Sequence, residues 1–186
     1  MKKSIFIALA CLLTLSVTAQ GKWTPLDNSP MDMIYFPMDY PILKIRKQAP
    51  EMPGIKIIYS RPQKKNRKVF GELVEYGAVW RLGANEATEL NLFKDLRIAN
   101  TKIKKGRYTM YAIPFKDKWT IIINKDNDVW GSFAYDEKKD IVRTDVKTGK
   151  NEEPVEAFTM MFEKADFGAN LLITWEDVKV ALPFYF

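Results

Sequence analysis

The chain has 186 residues but no histidine and only one cysteine, Cys11. Ser-His-Asp and Cys-His nucleophilic mechanisms need an imidazole base, histidine zinc sites need its ring nitrogens, and an intrachain disulfide needs a second thiol. All of these are therefore excluded. Long hydrophobic runs are scarce as well: beyond residue 20 nothing approaches 18 consecutive apolar residues, so no transmembrane segment is expected. No long amphipathic helix and no Gly-rich phosphate motif can be traced, which argues against α/β enzyme folds with their helix-terminus phosphate sites. What remains is carboxylate, Arg, Lys, Tyr and Asn chemistry, with neither a metal nor a cofactor expected.

The start of the chain is an expected export signal. Lys2 and Lys3 form a positive opening, Ile5 to Val17 is an apolar run broken only by small hydroxyl residues, and Val17-Thr18-Ala19 places small side chains before a cut after Ala19. The rival reading makes Cys11 a lipoprotein acylation site. Ala8-Leu9-Ala10 is a poor lipobox, however, and cutting there leaves Leu12-Leu13-Thr14-Leu15 at the new terminus. Removing residues 1–19 also removes Lys2 and Lys3, so the net charge falls from +6 to +4. That mild excess in an exported protein argues against nucleic acid as a partner, and leaves anionic glycans, lipid head groups or an acidic protein. The mature domain, without cysteine, has to be held by core packing alone.

Residues 20–54 hold six of the ten prolines, interleaved with Trp23, Tyr35, Phe36 and Tyr40. Proline removes backbone donors and forbids long helices, so an extended arm is expected, packed on its own domain. From 55 to 186 short runs rich in Val, Ile, Tyr, Phe, Thr and Trp recur about every ten residues between polar breaks, the pattern of an all-β sandwich. About ten antiparallel strands are expected, in a jelly-roll-like or immunoglobulin-like sandwich. They are Ile55–Ser60, Val69–Val74, Thr88–Phe93, Arg107–Ile113, Lys118–Asn124, Val129–Ala134, Asp140–Lys147, Val155–Lys164, Ala169–Trp175 and Val178–Phe184, with a tight hairpin at Glu176-Asp177 and a short helical turn near Glu72–Tyr76. Several alternate with period two, as Trp119, Ile121 and Ile123 do, which marks one buried face.

Three stretches carry a family resemblance: Tyr59-Ser60-Arg61-Pro62, Arg67-Lys68-Val69-Phe70-Gly71 and Val79-Trp80-Arg81-Leu82-Gly83-Ala84-Asn85-Glu86-Ala87-Thr88. With Gly106-Arg107-Tyr108, Trp130-Gly131 and Asp140-Ile141-Val142-Arg143, they resemble DUF2911, a family of exported bacterial proteins of unknown function. The resemblance covers most of Ile55 to Phe184, and Pro25 to Asp32 resembles one branch of the family. It implies a Gram-negative envelope location and a β-rich domain, and it implies no activity. Leu82 departs from the Thr expected after Arg81, so any hydroxyl role there is absent.

The Trp80–Thr88 segment is the first candidate site. Arg81, Asn85 and Glu86 surround a glycine that lets backbone approach a partner, on a loop between strands. Charge satisfaction at a sheet end explains the same residues equally simply, with Arg81 and Glu86 paired to each other or to Asp140 and Arg143. Asp140 and Arg143 lie three apart in a strand and share a face only if a bulge intervenes. Trp130 and Tyr135 could stack on a sugar ring, or belong to the core. Arg61 heads a basic run with Lys64, Lys65, Arg67 and Lys68 that suits either an anion or solvent. Asp126 and Asp128 have calcium-like spacing but lack the glycine and distal glutamate of a calcium loop, so turn chemistry is expected.

Three functions stay open. The first is a non-catalytic envelope module that binds a protein, a glycan or an acidic small ligand through Arg61, Trp80, Arg81, Asn85, Glu86, Trp130, Tyr135, Asp140 and Arg143. The second is a small polysaccharide hydrolase with Glu86 and Asp140 as its carboxylate pair. The third is a structural subunit docked through its N-terminal arm. The missing histidine shifts weight from catalysis to binding, because no remaining side chain has an ordinary pKa near neutrality.

Overall fold

The structure is a computed structural model and describes residues 23–186. The expected export signal and Cys11 lie outside the described residues. The architecture is all-β: ten strands form two antiparallel sheets packed as an open sandwich. The strands are β1 (Met31–Phe36), β2 (Ile55–Ser60), β3 (Thr88–Leu92), β4 (Leu96–Ile98), β5 (Thr101–Ile103), β6 (Gly106–Pro114), β7 (Lys118–Asn124), β8 (Asp140–Lys147), β9 (Gly149–Ala165) and β10 (Gly168–Tyr185). One sheet runs β1-β2-β3-β6-β7-β8 and the other β5-β4-β10-β9. A six-residue helix, α1 (Tyr40–Ile45), opens on Pro41, whose missing N–H costs nothing in a first turn.

The core lies where the period-two faces meet. Ile57 and Tyr59 of β2, Leu90 of β3, Met110 and Ala112 of β6, and Trp119, Ile121 and Ile123 of β7 face Phe158, Met160 and Phe162 of β9 and Leu171, Ile173, Trp175 and Leu182 of β10. Five aromatic residues, Phe70, Trp80, Trp119, Phe158 and Trp175, interlock with ring centroids 5.1–6.4 Å apart. Each such pair contributes about 0.5–1.5 kcal/mol beyond its buried area. The outer face of the larger sheet is partly covered as well. The chain between β7 and β8 folds back over it, so Thr109, Tyr111 and Asn124 are buried too.

Residues 31–54 are built into this body, whereas Trp23 and Leu26 are almost fully exposed. β1 adds an edge strand antiparallel to β2, from Met31 opposite Ser60 to Phe36 opposite Ile55. Tyr40 is buried at the start of α1 and donates its hydroxyl to the Glu51 carbonyl at 2.7 Å.

Four local expectations are corrected. Val69–Val74 forms turns, not a strand. Val69, Phe70 and Val74 are apolar because they plug the end of the sandwich, and the stretch around Glu72–Tyr76 continues as turns without a helix. Val129–Ala134 is likewise a turn, reversing at Gly131 with φ 66°. The hairpin expected at Glu176-Asp177 does not exist, since Ala169–Trp175 and Val178–Phe184 are one strand, β10. Its register with β9 shifts at Glu176, which has φ 55°. Asn151 Nδ2 spans the bulge, donating to Thr174 Oγ1 and to the carbonyls of Glu176 and Val178, so the strand bends without reversing.

Candidate functional site

The Trp80–Thr88 loop is a tightly pinned turn. Trp80 pairs its backbone with Ala112 through two bonds of 2.7 and 2.9 Å, and its indole Nε1 donates to the Gly83 carbonyl at 3.1 Å. At the far end Thr88 donates its N–H to Arg81 O at 3.1 Å and its hydroxyl to Leu82 O at 2.5 Å. These bonds hold Leu82 and Asn85 in the left-handed region, at φ 53° and 59°. For a non-glycine residue that conformation costs about 1–2 kcal/mol. The Leu82 side chain is fully buried, so leucine here serves the core. Gly83 has φ 148°, and a Cβ there would sit 2.9 Å from the Ser60 carbonyl oxygen.

Trp80 is only 7% exposed and belongs to the core, where its ring forms the floor beneath the loop. Arg81, next to it, is half-buried, and its Nε is inaccessible to solvent and bonded to nothing. Among the described residues its guanidinium has no carboxylate within ion-pair range, no acceptor and no aromatic face. Burial lowers its pKa below the ordinary guanidinium value, with no counter-ion to offset the shift. A charge partly withdrawn from water without a partner is costly to hold.

The Trp80–Thr88 loop and the Val129–Tyr135 turn are joined into one surface. Ala87 N–H donates to Val129 O at 3.0 Å and Gly131 N–H to Asn85 O at 2.8 Å, bracketing a backbone bridge between Glu86 and Trp130. Ser132 Oγ donates to Val79 O at 3.0 Å. Trp130 is 61% exposed and Phe133 87%, while Glu86 is exposed and makes no ion pair among the described residues. Half-buried Asn85 completes this face.

The remaining candidates belong to bonded networks. Asp140, whose side chain is 8% exposed, accepts from Tyr135 Oη at 2.5 Å and Asn124 Nδ2 at 2.8 Å and forms an ion pair with Arg143 Nε at 3.2 Å. A register shift between Ile123 and Asn124 supplies the bulge that lets Asp140 and Arg143 meet. Burial first, and then the Asp140 carboxylate, push the Tyr135 phenol well above its ordinary value. Tyr135 packs edge-on against buried Tyr111 rather than opening a stacking face. Arg61 clamps the sandwich, donating to Phe158 O at 3.2 Å and Thr159 Oγ1 at 2.9 Å while pairing with Asp32 at 3.1 Å. Asp126 pairs with Lys139 and Asp128 with Arg107, and among the described residues no cluster of acids could hold a metal ion.

One hollow escaped sequence reasoning. It is a groove of about 530 Å³ between β1, α1 and β9, lined chiefly by Met33, Ile34, Met38, Pro41 and Met161. Met33 and Met38, two methionines within the proline-rich arm, are its trace in the sequence.

Comparison with known families gives one result. The chain matches the family described as Protein of unknown function (DUF2911) over residues 43–184 and belongs to that family. No curated protein and no solved structure matches it. Among the described residues no helix is long and apolar enough to cross a membrane.

Proposed function

Starting from membership of that family, we propose that the protein is an exported envelope β-sandwich that binds a ligand or partner without catalysis. Its binding surface is the Trp80–Thr88 loop together with the Val129–Tyr135 turn bonded to it. Arg81 meets an acidic group on the ligand, Asn85 and Glu86 orient polar contacts, and Trp130 offers an apolar face to a sugar ring or side chain. The observation that carries this reading is the unpartnered, half-buried guanidinium of Arg81 on a loop whose backbone is held in left-handed turns. Strain of that kind concentrates where a site must be preformed. Asp140, by contrast, spends its oxygens on Tyr135, Asn124 and Arg143, which suits a structural group better than half of a hydrolytic pair.

The test is an array of acidic and neutral glycans probed with the full chain, Arg81→Ala and Glu86→Ala. The wild-type protein is expected to retain acidic glycans, with Arg81→Ala weakening retention at least about tenfold, equivalent to 1.4 kcal/mol. Unchanged retention by both folded variants, or no retention by the wild type, overturns the reading.

A further inference from the structure

Beside Arg81 lies a cavity of about 210 Å³ whose other charged wall is Arg67. Its apolar lining includes Trp80 and Trp175, whose rings stack 6.1 Å apart, with Pro62, Leu73 and Val74. No Asp or Glu lines it. Arg67 is aimed by its own turn: Nε donates to Lys64 O at 2.8 Å and Nη2 to Gln63 O at 2.7 Å. Those two bonds fix the guanidinium plane and leave Nη1 without a protein acceptor among the described residues.

Two guanidinium groups thus flank one hollow that no carboxylate lines, beside apolar side chains that reduce the local screening of charge. Arg81 also lines a second cavity of about 170 Å³ together with Glu75 and Ser132, but makes no ion pair with Glu75. Planar guanidinium groups bind carboxylate and phosphate oxygens in bidentate fashion, which is the pairing this hollow lacks. Its volume is below the roughly 300–1,000 Å³ of pockets that enclose a whole small ligand. It therefore suits an anionic head group whose remainder lies outside.

We propose that the cavity between Arg67 and Arg81 is an oxyanion subsite that receives a carboxylate or phosphate head group. The inference rests on the reading above for the rest of the ligand, which lies on the joined loop surface. The subsite shares Arg81 with that surface, and Arg67 belongs to the subsite alone.

The experiment titrates the full chain with inorganic phosphate and, separately, acetate, at constant ionic strength set by chloride. It follows tryptophan fluorescence, because Trp80 and Trp175 line the cavity, and it follows Tm. A saturable fluorescence change with a rise in Tm is expected for at least one anion, and the anion that saturates at lower concentration identifies the head group. Arg67→Gln and Arg81→Gln are each expected to raise the half-saturating concentration at least tenfold, and Glu75→Gln to leave it unchanged. Circular dichroism establishes that each variant is folded. If Arg81→Gln does not fold, Arg67→Gln, at an exposed position, decides alone. Absence of saturation by either anion overturns the subsite, as does an Arg67→Gln variant that titrates like the wild type. Loss of glycan retention in Arg81→Ala alongside a null anion titration overturns the subsite while leaving the proposed function standing. A normal anion titration with unchanged glycan retention does the reverse.

Discussion

Asp140 and Glu86 are both acids beside arginines in sequence, yet the fold gives them opposite standing. Asp140 accepts hydrogen bonds from buried Asn124 and half-buried Tyr135 and pairs with Arg143, whereas Glu86 is exposed and makes no ion pair among the described residues. Asp140→Ala leaves the Tyr135 hydroxyl and the Asn124 amide without that acceptor and is expected to cost about 2–3 kcal/mol. Glu86→Gln is expected to stay within about 0.5 kcal/mol of the wild type. Urea midpoints at fixed m-value check both, and equal destabilisation by the two variants would contradict the placement. The Asp140–Arg143 contact was legible in advance only as a condition, since residues three apart in a strand need a bulge to meet. Whether Trp130 or Tyr135 was the exposed aromatic was not legible. That depends on Gly131 turning the chain, which leaves Trp130 outside and folds Tyr135 down onto Tyr111.

At the scale of elements, β2, β7 and β8 begin and end where turn chemistry and period-two alternation place them. The misread segments share one cause. Val69, Phe70 and Val74 are β-branched or aromatic because they are buried, and burial selects those residues in turns as readily as in strands. The β10 bulge has a similar origin, because Glu176-Asp177 has turn composition but the partner strand β9 continues past it, a fact about pairing that no local pattern carries. Gly77 and Gly83, on either side of Trp80, allow conformational cost and steric contact to be separated. At Gly83, alanine meets both a positive φ and the Ser60 carbonyl at 2.9 Å. At Gly77, with φ 79°, the nearest neighbour of an added Cβ is a Phe115 ring carbon at 3.8 Å. Gly77→Ala is therefore expected to cost about 1 kcal/mol. Gly83→Ala should cost about 2–3 kcal/mol and weaken anion-dependent fluorescence changes as the loop shifts. Chemical denaturation of the two variants side by side measures the difference, and equal costs would show that the contact with Ser60 is relieved without effect.

For the whole molecule, the missing histidine shapes the dependence of stability on pH. Several carboxylates are held below their ordinary values: Asp126 by Lys139, Asp145 by Lys118 and Thr120, and Asp95 by Lys104 and the Lys105 N–H. Burial alone would raise Glu89, but hydrogen bonds from Arg107 and Asn91 outweigh it and hold this acid low as well. An acid depressed in the folded state adds stability that is present above its unfolded value, about pH 4, and is lost as pH falls through the folded value. The phenols behave in the opposite sense. Burial pushes Tyr111 up to about 12, with Asp126 and Asp140 adding to the rise, and Tyr135 is raised further. A raised phenol keeps its contribution below the unfolded value, about 10, and loses it as pH climbs through the folded value. With no imidazole between these limits, Tm is expected to be level from about pH 5 to pH 9, falling below about pH 4 and above about pH 10. Thermal melts by circular dichroism across that range test this. Tyr135→Phe should lower the plateau and soften the alkaline fall, since the ionising group and its bond to Asp140 disappear together. A transition between pH 6 and 7 would require a titrating side chain that these carboxylates and phenols do not supply, and would contradict the assignment of the pH limits to them.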